Sequence, residues 1–123
     1  MKLRFRENTL RLRVNRREVD RLAAGEAVEE QLTFPDSAHL RYMFETVGDQ
    51  EPLVSFKEGL IRVAAPLAQV RDWAHGDSIG LYFHVPAGEL ILKVSIEKDL
   101  QCVDGSPEEL DPDAFPRQTR TNC

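Results

Sequence analysis

Cysteine is scarce in this chain of 123 residues: Cys102 and Cys123 are the only two. Two thiols near one end make no disulfide framework, so a cytoplasmic location with reduced thiols is expected and the fold must rest on its core. Long apolar runs are missing as well. Nothing approaches the roughly 20 residues of a membrane span. The opening Met1-Lys2-Leu3-Arg4-Phe5-Arg6 alternates charged and apolar residues, and no secretory h-region follows. There is no P-loop, dinucleotide fingerprint, nucleophile elbow or zinc signature. His39, His75 and His84 are scattered, none with Cys, Asp or Glu at metal-ligand spacing on its own element. Structural or surface roles are expected for them, and no catalytic residue, metal site or cofactor is assigned.

What is present is an ordinary globular balance, 41% hydrophobic and 30% charged, in a length that fits one domain with a real core. The net charge of −5 conceals an asymmetry. Residues 1–21 carry eight of the 16 basic residues against Glu7, Glu18 and Asp20, a local +5; the rest of the chain sums to −10. Between Asp104 and Asp113 there are five acids and no base. A basic start and an acidic end raise the question of a partner.

The sequence also resembles itself. At an offset of 51 residues Leu3 falls on Val54, Phe5 on Phe56, Arg6 on Lys57, Glu7 on Glu58 and Arg11 on Arg62. Further on, Val19 meets Val70, Leu22 meets Trp73, Gly25 meets Gly76 and Val28 meets Ile79, with residues 40–46 on 91–97 and no gap anywhere. Each half reads as a hairpin, a helix and two more strands. Leu3 and Phe5, then Leu10, Leu12 and Val14, alternate with charged residues as half-buried strands do. Glu7-Asn8 and Glu58-Gly59 suit tight turns. Asn15 with Glu18 three residues on predicts a capping box, and Gly25 a left-handed stop. Pro66 suits the first turn of a second helix that ends at Gly76. Strands are expected near 28–34, 40–47, 78–85 and 89–98, with turns at Pro35-Asp36-Ser37 and Pro86-Ala87-Gly88.

These elements predict an α+β domain over residues 1–103: a duplicated ββαββ unit (about 1–48 and 52–99) with eight mostly antiparallel strands and two short helices. Helices on one face of a curled sheet and a barrel-like closure both fit. Residues 104–123, broken by Pro107, Pro112 and Pro116, read as an irregular acidic tail.

The strongest functional candidate is the basic hairpin. Arg4, Arg6, Arg11 and Arg13 project to one side, where four guanidiniums repel unless something anionic answers them. Acids on neighbouring strands, Glu45 or Glu97, are one answer; the acidic tail folding back is a second; an external anion is the third. Nucleic acid is disfavoured, because Phe5 is the hairpin's lone aromatic and lies on its apolar side. A second constellation, Glu97-Lys98-Asp99, reads as a solvated strand end or as a place for acid–base work. Cys102 fits either a core position or a thiol activated by Lys98.

At these residues the chain resembles a family of short, uncharacterised bacterial proteins of about 120 residues. The likeness is carried by Lys2-Leu3-Arg4-Phe5-Arg6-Glu7-Asn8-Thr9-Leu10-Arg11-Leu12-Arg13, by Glu97-Lys98-Asp99-Leu100-Gln101-Cys102 and by Asp113-Ala114-Phe115-Pro116. Leu100 stands where the family has Phe, and Arg117-Gln118 where it has Asn-Pro. The resemblance implies no activity. A looser likeness is to the tunnel fold of triphosphate-processing enzymes, which also close eight strands around charged side chains. Those enzymes carry Glu-x-Glu-x-Lys where this chain has Lys2-x-Arg4-x-Arg6, so an anion could be held there without metal-assisted hydrolysis.

The leading expectation is a binding or interaction domain whose basic hairpin faces an anionic partner, an anionic small molecule or an acidic protein surface, with its own tail as competitor. The alternative is an enzyme or sensor for phosphorylated small molecules, using those arginines with Lys93, Glu97 and Lys98 in a tunnel-like site. A third reading is a homodimer joined through open strand edges.

Overall fold

The computed structural model describes residues 1–100. The expected tail and both cysteines lie outside the described residues. Two strands, β1 (Lys2–Arg6) and β2 (Thr9–Val14), precede α1 (Arg16–Ala23), and β3 (Val28–Thr33) and β4 (His39–Val47) follow it. The order then recurs: β5 (Leu53–Lys57), β6 (Leu60–Pro66), α2 (Leu67–His75), β7 (Gly80–Ala87) and β8 (Leu90–Lys98). The fold is α+β, with eight strands and two helices among the described residues.

Local chemistry accounts for the elements. Both first hairpins turn through two residues of positive φ, Glu7 (47°) and Asn8 (59°), then Glu58 (50°) and Gly59 (76°), the pattern that matches strand twist. The α1 capping box is in place: Asn15 accepts from the Glu18 backbone N–H, and Glu18 accepts from that of Asn15, both at 2.9 Å. Gly25, at φ 88°, sits in the left-handed region just past the helix. Gly76 does not share that role. Its backbone is extended, and a Cβ there would lie 2.7 Å from the Asp72 carbonyl oxygen, so glycine provides clearance.

The expected barrel does not form. The strands make two separate four-stranded sheets: sheet I in the order β1-β2-β8-β7, sheet II in the order β3-β4-β6-β5. Four strand pairs are antiparallel hairpins, as alternation and turn signals implied. The other two, β2 with β8 and β4 with β6, are parallel and fuse a hairpin from each half of the chain into one mixed sheet. Among the described residues each sheet therefore keeps two free edges, and no lumen is formed for the tunnel expected by analogy.

The gapless 51-residue correspondence also needs correction. It holds through the first hairpins: β1 and β5 start and end 51 apart, and β2 and β6 start 51 apart. Beyond the helices it would place fully buried Phe44 on half-buried Ser95, and Val28, 2% exposed, on Ile79, 48% exposed. An offset of 52 sets Phe44 on Ile96 and makes the two parallel junctions equivalent, Leu10 beside Val94 and Ile61 beside Tyr42. The extra residue agrees with α2, which has nine residues against eight in α1. Similarly, Pro86 and Ala87 end β7, and the turn follows at Gly88 and Glu89.

One core joins the layers. Leu10, Leu12, Val14, Val94 and Ile96 of sheet I meet Val28, Phe44, Val63 and Ala65 of sheet II, with Val19, Leu22, Val70 and Trp73 from the helices. The helices close the end of the sandwich where β2 and β6 finish. There Arg71 Nε donates to the Ala23 carbonyl at 3.0 Å, and the Trp73 indole donates to the Ile79 carbonyl at 2.9 Å. All four hairpin turns lie at the opposite end. No helix among the described residues is long and apolar enough to cross a membrane.

Candidate functional site

Strand alternation sends Leu3, Leu10 and Leu12 inward and the basic residues outward, so the β1–β2–β8–β7 register builds the outer face of sheet I row by row. Lys2, Arg13, Glu97 and Gly80 form one row; Arg4, Arg11, Ser95 and Tyr82 the next; Arg6, Thr9, Lys93 and His84 the third. Six of the seven expected site residues, Arg4, Arg6, Arg11, Arg13, Lys93 and Glu97, thus share one face. Lys98 does not. It points to the helical end, where its ammonium donates to the Gly76 carbonyl at 3.0 Å and lies 5.8 Å from the centre of the Trp73 ring.

Glu97 is the centre of this face. It is only 8% exposed, yet both carboxylate oxygens are engaged: Oε1 accepts from Arg11 Nε and Oε2 from the Tyr82 hydroxyl at 3.1 Å. Such pairing is what a buried carboxylate requires. Tyr82 reaches it because Gly80 has no side chain; a Cβ at Gly80 would collide with the Tyr82 ring. Of the two acids considered as partners for the arginines, Glu97 fulfils the role and Glu45 does not. Glu45 belongs to sheet II and pairs with Arg62.

The remaining cations exceed this one carboxylate. Lys2 meets Asp99 at 2.9 Å at the margin. Among the described residues, no carboxylate pairs with Arg4, Arg6 or Lys93. Burial, and then the charges of Arg11 and Arg4, lower the Arg13 guanidinium pKa below the ordinary value. The described residues hold no cluster of three or more His, Cys, Asp or Glu able to bind a metal ion. The face gathers guanidinium and ammonium donors from β1, β2 and β8 on one side of sheet I.

Tyr82 and Gly80 were not legible as parts of this site. Their place depends on the parallel β2–β8 junction, and nothing in either strand's composition announces which hairpin lies beside which. Also unforeseen is the anchoring of the first residue. The Met1 ammonium donates to Glu18 at 2.6 Å and to Glu30 at 3.1 Å, and the Tyr42 hydroxyl donates to the Met1 carbonyl at 2.8 Å. Glu18 therefore serves the helix cap and the amino group together, which fixes β1 at the edge of the basic face.

A family model matches residues 1–119, nearly the whole chain. The chain belongs to a family of unknown function, DUF7009. The DUF7009 match covers both sheets and both helices, so the basic face lies wholly within the family's span. No curated protein and no solved structure matches the chain.

Proposed function

We propose that this protein is a binding domain whose sheet I outer face holds an acidic segment of a partner protein. The observation that carries this reading is an internal contrast. We read the two ββαββ halves as an internal duplication, which makes the β5–β6 hairpin a control for β1–β2. At corresponding outward positions β1–β2 has Lys2, Arg4, Arg6, Arg11 and Arg13, while β5–β6 has Leu53, Ser55, Lys57, Arg62 and Ala64. The second hairpin takes the same turn and pairing with two cations, so five are not needed to build it. Clustered cations of this kind favour an acidic surface through complementarity that salt weakens.

The five acids between Asp104 and Asp113 make the chain's own tail a competitor for that face. The reading as an enzyme or sensor for phosphorylated small molecules draws less support, because the arginines stand on an outer sheet face and, among the described residues, no enclosed lumen gathers them.

The test is fluorescence anisotropy of a labelled ten-residue Asp/Glu peptide titrated with the full chain at low and physiological salt. Arg4→Ser with Arg13→Ala gives the first hairpin the residues of the second at those two positions. This pair of changes should weaken binding about five- to tenfold, in keeping with one or two exposed ion pairs. Glu108→Gln with Glu109→Gln should strengthen it. Unchanged affinity in the Arg4→Ser/Arg13→Ala variant, or binding indifferent to salt, would refute the proposal.

A further inference from the structure

The end of the sandwich opposite the helices is open, and between the two sheets it holds a cleft of about 800 Å³. Its floor is Leu10 and Ile61, with Leu40, Val54 and Leu92 on the walls. Two phenylalanines flank the mouth, Phe5 on β1 and Phe56 on β5, 64% and 67% exposed. These residues come in pairs from the two halves of the chain: Phe5 with Phe56 and Leu10 with Ile61 at an offset of 51, Leu40 with Leu92 at 52. The cleft thus lies where the two halves face each other, and both halves leave an aromatic ring in water at the same place. Leaving two such rings uncovered forgoes burial that a packed core would recover.

The rim is polar on one side. Arg6, Glu7, Asn8 and Thr9 line it there. Asn8 is occupied, its side-chain amide donating to the Ile91 carbonyl at 2.9 Å. Among the described residues, no carboxylate pairs with Arg6. The combination is an apolar trough whose polar rim carries the Arg6 guanidinium beside Glu7, with no ion pair between the two. Its volume falls within the roughly 300–1,000 Å³ range of small-molecule sites.

We propose that this cleft binds one anionic amphiphile, a hydrocarbon chain lying against Phe5, Phe56 and Ile61 with its carboxylate or phosphate head at Arg6. Arg6 is shared with the outer face of sheet I, whereas Arg4, Arg11 and Arg13 do not line the cleft. A failure of either reading leaves the other standing.

The experiment is calorimetric titration of the full chain with octanoate, decanoate, decyl phosphate and decanol, all below their micellar concentrations. Decanoate should bind saturably at one per chain and about tenfold more tightly than octanoate, as two further buried methylenes imply. Phe56→Ser should weaken every ligand about tenfold. Arg6→Gln should weaken decanoate and decyl phosphate severalfold and leave decanol unchanged. The better of the two anionic heads identifies a free fatty acid or a phospholipid-like ligand as the source. Arg4→Ser with Arg13→Ala should leave decanoate binding intact. Both phenylalanines are exposed, so the variants retain the core, and circular dichroism verifies this. No saturable decanoate binding, equal affinity for octanoate and decanoate, or indifference to Phe56→Ser would overturn the proposal. So would a wild-type dimer in sedimentation that Phe56→Ser makes monomeric, because a second copy would then be the occupant.

Discussion

The outer faces of the two sheets share a plan and differ in charge. Sheet I has Arg11 on Glu97; sheet II has Arg62 on Glu45, joining corresponding strands. Around that shared pair sheet II is balanced, with Arg41 answered by Glu29 at 3.2 Å and Lys57 as the one further cation on its strands. Sheet I surrounds its pair with Lys2, Arg4, Arg6, Arg13 and Lys93; Lys2 meets Asp99 just past β8, and among the described residues no carboxylate pairs with Arg4, Arg6 or Lys93. The surplus on sheet I is an addition to the architecture, and it makes Glu97 carry more than Glu45 does.

The largest test of that difference is to neutralise each acid in turn. Glu97→Gln should cost about 3 kcal/mol in urea unfolding, because it leaves Arg11 half-buried among other cations. Glu45→Gln should cost about 1 kcal/mol, since Glu45 is more exposed and fewer charges crowd it. Equal losses would erase the proposed contrast between the faces.

A second asymmetry is the amino terminus, for which the second half has no equivalent; the position 51 residues after Met1 is Pro52. Burial lowers the Met1 ammonium pKa, but hydrogen bonds and charge from Glu18 and Glu30 outweigh it, and the net shift is upward from 8.0. An amine whose folded pKa is raised contributes its full stabilisation below the unfolded value and loses it as pH climbs through the folded one. Stability should therefore hold steady up to about pH 8 and fall above it. Glu18→Gln should cost about 1–2 kcal/mol at pH 7 and flatten that fall, as chemical denaturation at several pH values would reveal.

Gly80→Ala isolates how Tyr82 reaches Glu97. Displacing the ring should cost about 1–2 kcal/mol, and Tyr82→Phe, which removes the hydroxyl alone, about 1 kcal/mol. If Gly80→Ala is neutral, the ring can reach Glu97 by another path. The smallest effect is the most telling. Arg4→Ser with Arg13→Ala should change stability by no more than about 0.5 kcal/mol, and relieved repulsion makes a gain as acceptable as a loss. A loss of several kcal/mol would make the surplus cations structural.

The sequence carried much of this because its signals are local. Two-residue alternation in Leu10-Arg11-Leu12-Arg13-Val14 named both the core face and the basic face. Asn15 with Glu18 named the start of α1. Glu7-Asn8 and Glu58-Gly59 named two turns. What was not legible is long-range. The parallel β2–β8 contact joins residues 84 apart, and alternation is identical whether a strand's neighbour is parallel or antiparallel. Two sheets therefore could not be told from one closed sheet. The same gap hid Tyr82 and Gly80 from the site, sent Lys98 to the wrong face and concealed the cleft, whose walls come from both sheets. Glu18 was read as a cap and proved to hold the amino terminus as well, because a carboxylate has two oxygens and the capping box uses one.

The central claim, that the cationic surplus of sheet I exists for an acidic partner, is tested most directly by amide chemical-shift mapping. The full chain would be titrated with the Asp/Glu peptide at low salt. Shifts concentrated on β1, β2 and β8 at Arg4, Arg11, Arg13 and Lys93, diminishing as salt is raised, are the predicted result. Shifts centred on Arg41 and Arg62 of sheet II, or none on either face, would contradict it.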